Sequence, residues 1–148
     1  NLLLFDSGIS HVSGDLHQEV WKKYSKGDQE VIGGLERIRH MTQEMLEAIR
    51  IESTESFGRS LYRASSSVNL LGKEFNAPSE KHLEPLQFDE AIMSWKVMGA
   101  GAGGVVGIVL NNEHGREQVT ELAKEQGWTE IEWAIEPQGI VRNVNLHE

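Results

Sequence analysis

The feature that most restricts the fold is a run of six residues made only of glycine and alanine, Gly99 to Gly104. The segment Ser94 to Met98 precedes this run, and Val105 to Leu110 follows it with four β-branched residues and one glycine. Both flanks have the character of strands. Because no large side chain covers the run between them, its backbone N–H groups are open to an anion. The sequence therefore predicts two strands joined by a loop with the chemistry of an anion-binding site.

Gly99, Gly101 and Gly104 also match the spacing G-x-G-x-x-G of dinucleotide-binding loops. That mechanism requires a helix to begin at the loop, so that its N-terminus faces the pyrophosphate. The residues that follow the loop indicate a buried strand instead. The region about 20 residues further on, where a second strand should end in an acidic residue, is helical in pattern. We therefore interpret the loop as a turn between two strands.

Four other segments repeat apolar residues at the spacing of an amphipathic helix, and each begins near a residue that can cap it. The second and third of these helices are joined by a short polar link and are predicted to pack antiparallel. The apolar stripe of the second comprises Val31, Leu35, Ile38, Thr42, Met45 and Ile49. The predicted starts are Ser13, Asp28, Ser53 or Thr54, and Asn112, and three helices end before Gly27, Gly72 and Gly127.

The rest of the chain completes an α+β protein, with helices packed on one face of an antiparallel sheet and a helical hairpin beside it. Lys73 to Pro85 predicts a loop with at most one helical turn, and Phe88 to Met93 predicts a short helix. Further strands are predicted at Leu2 to Phe5, at Ile131 to Ile135, where apolar residues alternate with glutamates, and at Ile140 to Leu146 after a turn at Gln138-Gly139.

Composition limits the classes of partner. With 14 basic and 23 acidic residues, the formal charge of -9 repels a nucleic-acid backbone. Cysteine is absent, and the six histidines lack the spacing of a zinc site, so no protein metal site is expected. No apolar run approaches the roughly 20 residues of a membrane span. We therefore expect a soluble cytoplasmic protein that binds neither nucleic acid nor membrane.

The loop and its approach resemble a motif of a known enzyme family. Lys96-Val97-Met98-Gly99-Ala100-Gly101-Ala102-Gly103-Gly104 is similar to the third conserved motif of the GHMP kinases, roughly K-x-[ST]-G-A-G-x-G-G. Met98 departs from it, because a hydroxyl residue usually stands there. The opening Leu2 to Ser10, followed by Ser13-Gly14-Asp15, resembles the strand with which heptose- and fucose-kinase-like members leave their first domain. The resemblance covers nearly the whole chain.

The resemblance implies a ferredoxin-like GHMP kinase C-terminal domain at residues 13–148, with residues 1–12 as the end strand of an N-terminal domain that is missing here. It implies that the chain belongs to a kinase that transfers the γ-phosphoryl group of ATP to a sugar, a sugar phosphate or a similar metabolite. The N-terminal kinase domain, which carries P-x-x-x-G-L-x-S-S in this family, would bind most of the ATP and Mg²⁺. No such motif occurs here, so we expect no catalytic residue and no turnover from this chain alone. The implied phosphate- or substrate-binding residues are Gly99, Ala100, Gly101, Ala102, Gly103, Gly104, Lys96 and Ser7.

Each of these assignments has an alternative. The loop could be a tight hairpin turn whose glycines serve packing, Lys96 could be a solvated strand residue, and Ser7 could only form the turn before Gly8. At the level of the whole chain, the alternative is a non-catalytic α+β module that binds a small ligand, regulates another domain or forms a homodimer.

Overall fold

The fold is centred on one antiparallel sheet of four strands, in the order β2-β3-β1-β4. The computed structural model describes residues 1–9 and 13–139. The strands are β1 (Leu2–Asp6), β2 (Ile92–Val97), β3 (Val105–Leu110) and β4 (Thr129–Glu130). β2 and β3 pair directly on either side of the Gly/Ala loop. The predicted pair of strands is therefore confirmed, and the strand after the loop leaves no helix for a dinucleotide site.

Five α-helices connect these strands. They are α1 (Ser13–Ser25), α2 (Gln29–Arg50), α3 (Thr54–Val68), α4 (Ala77–Phe88) and α5 (Glu113–Gln126), with a 3₁₀ turn at Lys73–Phe75. In chain order, helices α1 to α4 come between β1 and β2, and α5 comes between β3 and β4. The chain order of helices and strands, together with the strand order of the sheet, is a ferredoxin-like arrangement enlarged by extra helices. The predicted α+β class is confirmed. Within the described ranges, no helix has the length and apolar character needed to cross a bilayer.

Short side chains cap the helices where the sequence predicts that they begin. The Asp28 carboxylate accepts hydrogen bonds from the first turn of α2, the Ser53 hydroxyl does so for α3, and the Asn112 amide oxygen does so for α5. Gly127 ends α5 in the left-handed conformation, as predicted. The predicted end of α3 at Gly72 is wrong, because the helix ends at Val68 and the 3₁₀ turn follows.

The core lies between one face of the sheet and two helices. Leu3 and Phe5 of β1 point into it, and the Trp128 ring lies 6.4 Å from the Phe5 ring, between ring centres. α4 and α5 close this core with Leu83, Val119 and Ala123. β1 lies between β3 and β4, so it belongs to the same sheet as the strands around the loop. The domain boundary proposed at residue 12 stays a prediction.

The helices α2 and α3 form the predicted hairpin, but α2 is rotated relative to the predicted stripe. Its buried residues are Val31, Gly34, Met41 and Ala48, whereas Leu35, Thr42 and Ile49 are exposed. Gly34 explains the rotation, because a Cβ there would lie 3.0 Å from Leu70 Cβ and 3.2 Å from the Ser67 carbonyl oxygen. At Gly34, α2 therefore lies too close to the end of α3 and to Leu70 for a larger residue.

The segment after the hairpin differs most from the prediction. Residues 73–85 contain most of α4 where a loop was predicted, and Phe88 ends a helix instead of beginning one. Pro78 lies in the first turn of α4, where its missing N–H costs nothing. Pro85 lies inside the helix, at a cost of about 3 kcal/mol, and complete burial of Leu83 offsets much of it with roughly 1.5–3 kcal/mol. Tertiary packing therefore overrides the local signal.

The strand predicted at residues 131–135 is also wrong. β4 ends at Glu130, and after the Ile131 N–H donates to the Leu4 carbonyl the pairing stops. The side chains of Trp133 and Ile135 are 46% and 80% exposed. Alternation favours a strand only where a second layer covers the apolar face, and here these side chains remain in solvent. The turn before Gly139 is present, and the strand predicted at 140–146 lies outside the described residues.

Candidate functional site

The loop between β2 and β3 has a backbone path that few residues other than glycine can follow. Its φ angles are +66° at Gly99, +84° at Gly101, +60° at Ala102, +144° at Gly103 and +73° at Gly104. A residue with a Cβ loses roughly 1–2 kcal/mol in such a left-handed conformation, and here Ala102 alone bears that cost. The glycine-rich composition is therefore required by the conformation of the loop itself.

Two neighbouring segments hold the loop in place. The Ala102 N–H donates to the Phe75 carbonyl at 2.7 Å, and the Gly104 N–H donates to the Ile9 carbonyl at 2.9 Å. The Ser7 N–H in turn donates to the Gly104 carbonyl at 2.9 Å. The 3₁₀ turn after α3 and the segment after β1 therefore anchor opposite parts of one loop.

The other four N–H groups of the loop have no partner among residues 1–9 and 13–139. They are those of Gly99, Ala100, Gly101 and Gly103. Gly101 and Gly103 are buried, and buried backbone donors are nearly always paired. Successive free N–H groups around a left-handed turn are the kind of donor set that binds anions. Anion binding by this loop stays a prediction.

The glycines of the loop do not all serve the same purpose. A Cβ on Gly101 would lie 2.7 Å from Phe75 Cδ1, and one on Gly103 would lie 2.6 Å from Ile9 Cγ2. A Cβ on Gly99 or Gly104 would meet nothing within 4 Å. Packing therefore accounts for two of the glycines, as the hairpin alternative expects. Gly99 presents an open surface.

Ser7 is hydrogen-bonded to the loop, whereas the ammonium group of Lys96 is hydrogen-bonded to its own strand. Ser7 is buried against the loop, and the Ser7 Oγ accepts a hydrogen bond from the Ile9 N–H at 3.4 Å. The half-buried Lys96 is directed elsewhere, because its Nζ donates to the Val97 carbonyl at 2.9 Å. Burial lowers the pKa of the Lys96 ammonium group. The structure thus brings Ser7 to the loop and leaves Lys96 on its strand, while phosphate binding by either residue stays a prediction.

Met98, the departure from the family motif, packs on the sheet. It covers Gly107 on β3, where an added Cβ would collide with the Met98 Cε. The side chain at this position therefore fills the space above a strand glycine. Any role that a hydroxyl plays at this position in the family is not available to this residue.

Phe75 and Ile9 are the site residues that sequence reasoning missed. Both are apolar residues that contribute a carbonyl oxygen, and neither carries a side-chain signal for function. Phe75 is buried and its ring lies 6.1 Å from that of His17, between ring centres, so it links α1 to the loop. The segment that contains Phe75 was predicted to be a loop, so nothing in the sequence indicated that Phe75 lies beside the Gly/Ala loop.

Comparisons with known proteins place the fold. No family model matches the chain, and no curated protein matches its sequence. Among solved structures, the Lin0012 protein from Listeria innocua is similar, with a TM-score of 0.79 and 13% identity over 89% of this chain and 38% of that one. The L. major mevalonate kinase in complex with R-mevalonate has a TM-score of 0.67 and 13% identity over 84% of this chain and 39% of that one.

These likenesses show that the chain shares its fold with part of each of these two proteins. The chain spans less than two fifths of the length of each of these two proteins.

Proposed function

We propose that this chain is the C-terminal domain of a GHMP-type kinase, in which ATP donates its γ-phosphoryl group to a sugar, a sugar phosphate or a similar small metabolite. The observation that carries the proposal is the loop at 99–104, with four unengaged N–H groups within the described structure. The fold shared with a mevalonate kinase supports it at the level of architecture. The motif resemblance from Lys96 to Gly104 supports it at the level of residues.

The loop would contribute fixed hydrogen-bond donors. Phosphoryl transfer depends mainly on positioning and on stabilising negative charge, with little covalent chemistry for the protein to perform. Donors that are already oriented lose no free energy to rearrangement when charge develops. The anchors at Phe75 and Ile9 hold the loop in this state before any ligand arrives. Ser7 would line the same end of the site.

Mg²⁺ does not fit this part of the site. Within residues 1–9 and 13–139, no three His, Asp or Glu side chains come together as a metal-binding group. The main-chain donors suit the oxygens of a phosphate, whereas Mg²⁺ requires oxygen ligands. We therefore propose that an N-terminal kinase domain supplies the base and the metal ligands and holds most of the ATP. When bound, the metal neutralises charge on the phosphates.

A matched pair of substitutions at Gly99 tests the loop. Gly99 is exposed with open space above it, and Asn and Asp both tolerate its left-handed conformation. Gly99→Asn and Gly99→Asp have nearly the same shape and differ by one negative charge. Two charges 4 Å apart at a protein surface interact by about 4 kcal/mol, before screening by salt. In the two-domain kinase, we expect Gly99→Asp to lower kcat/KM about tenfold or more below Gly99→Asn.

The controls distinguish an error about the role of the loop from an error about the kinase activity. Melting temperatures of the two variants should agree, since both adopt the same conformation. Equal kcat/KM in the two variants would remove the loop from the phosphate site. ATP consumption that stays at background with sugars, sugar phosphates and R-mevalonate would refute the kinase and favour a non-catalytic binding module. The 148-residue chain alone should show no turnover, and calorimetry should show no micromolar binding of Mg-ATP.

A further inference from the structure

A second candidate site lies between α3, α4 and β2, on residues that the loop does not use. A partly open cavity of about 40 Å³ lies there, beside an outer pocket of about 280 Å³. The two share Tyr62, Glu84 and Gln87 as wall residues. A buried water needs about 10–15 Å³ of free space. The inner cavity therefore has room for a polar group of ammonium size.

Two side-chain amides in the wall of the cavity are held in place by hydrogen bonds. The Asn76 amide nitrogen donates to the Ser65 carbonyl at 2.8 Å and to Asn69 Oδ1 at 2.9 Å, so both of its N–H groups are used. The Gln87 amide nitrogen donates to the Met93 carbonyl at 3.1 Å. The side-chain oxygens of Asn76 and Gln87 accept no hydrogen bond within the described residues, while Gln87 also keeps a second N–H. These oxygens can accept hydrogen bonds from a ligand that donates.

Ser65 adds an unpaired polar group to the wall of the cavity. The residue is 3% exposed and lines the cavity, and its Oγ has no hydrogen-bond partner among the described residues. Buried side-chain hydroxyls are paired in the large majority of proteins, with protein atoms or with an ordered molecule. An unpaired hydroxyl at this position is explained if a ligand supplies the missing partner.

The charges of the wall have one sign. Glu80 and Glu84 lie one turn apart on α4, and neither forms an ion pair within the described residues. Like charges at this spacing repel each other, and no Lys, Arg or His belongs to the wall of either cavity. Glu80 Oε1 already accepts from Asn69 Nδ2 at 2.9 Å, which orients its carboxylate. A bound cation would relieve the repulsion.

Aromatic side chains flank the outer pocket. Tyr62 on α3 and Phe88 at the end of α4 both line it, and Phe88 is 80% exposed. A cation near an aromatic face is attracted to the ring, and a short carbon chain gains by covering it. We propose that this groove binds a small primary ammonium compound. Its ammonium group lies at Glu80 and Glu84, donates to the free oxygens of the wall, and leaves its carbon chain against Tyr62 and Phe88.

The test uses three probes of similar shape and different charge: n-butylammonium, n-butanol and butyrate. They are titrated into the ¹⁵N-labelled 148-residue chain at constant ionic strength and followed by the Trp95 indole and Gln87 amide resonances, since both side chains line the inner cavity. We expect saturable shifts with n-butylammonium in the millimolar range, and none with the other two. Shifts of equal size with n-butanol or with added NaCl, or no saturable shift up to about 100 mM, would overturn the proposal and leave a water-filled cavity.

Variants that each remove one negative charge distinguish binding at this site from attraction by the net charge of the chain. Glu80→Gln and Glu84→Gln keep the shape of the wall, and we expect each to weaken n-butylammonium binding several-fold and both together about tenfold or more. Glu125→Gln is the control, because it removes one charge at an exposed position of α5 outside both walls. If all three single variants weaken binding equally, the probe responds to net charge and the site is refuted.

Discussion

A single methyl group added to the loop should distinguish packing from backbone strain. Gly101→Ala would place a Cβ 2.7 Å from Phe75 Cδ1 with φ at +84°, whereas Gly99→Ala would place one in open space with φ at +66°. Both variants incur the left-handed cost of roughly 1–2 kcal/mol. Only Gly101→Ala also forces the Phe75 ring aside, and overpacking of this kind costs about 1–3 kcal/mol. We therefore expect Gly99→Ala to lose about 1–2 kcal/mol and Gly101→Ala about 2–5 kcal/mol.

These losses are measurable by urea unfolding and by thermal denaturation of the 148-residue chain. A domain of this size loses about 2–4 °C of Tm per kcal/mol, so Gly101→Ala should melt roughly 4–20 °C lower and Gly99→Ala roughly 2–8 °C lower. A Phe75→Ala background supplies the control, because removal of the ring should abolish the excess cost of Gly101→Ala. If the two glycine variants lose the same stability in the parent, or if the excess survives without the ring, the contact with Phe75 does not explain this glycine.

Two further predictions concern the core and the buried lysine. Leu83→Ala should destabilise the chain by about 2–5 kcal/mol because Leu83 is fully buried. Phe88→Ala on the same helix should change stability by less than about 1 kcal/mol, because Phe88 is exposed. Equal losses in urea unfolding would contradict the placement of α4. Burial lowers the folded-state pKa of Lys96, so the unfolded chain binds more protons between that pKa and the ordinary value, and stability should rise with pH across this window. Lys96→Met should be more stable than the parent at neutral pH, and its advantage should shrink towards pH 10.5; an advantage that does not change with pH would show that the ammonium charge is not the cause.

The position of Lys96 changes what can be expected of the loop. The motif resemblance implies a cation beside phosphate, yet the Lys96 ammonium group donates to the carbonyl of its own neighbour, Val97. The loop therefore presents neutral donors, and any strong positive charge in the proposed kinase site has to come from another source. In the kinase proposed above, the charge and the metal would then come from the second domain.

The place of the loop could be predicted from sequence, but its supports could not. Six small residues between two apolar segments are sufficient to predict a turn with open N–H groups, and the structure has that turn between β2 and β3. The carbonyls of Phe75 and Ile9 that hold it leave no trace in the sequence, because every residue has a carbonyl. The separate roles of Gly101 and Gly99 are likewise invisible until the neighbours of each Cβ position are known.

The sequence by itself determined the elements that depend on hydrogen bonds and sterics within a few residues. Asp28, Ser53 and Asn112 cap helices through atoms two or three positions away, and the glycines of the loop set a path that other residues rarely follow. Only the tertiary structure decided the elements whose free energy comes from burial. α4 forms through a segment with two prolines because Leu83 enters the core, and α2 approaches the end of α3 closely at Gly34. Residues 132–135 form no strand although they alternate as a strand does. Burial depends on partners that are distant along the chain, and a local pattern carries no information about whether those partners are present.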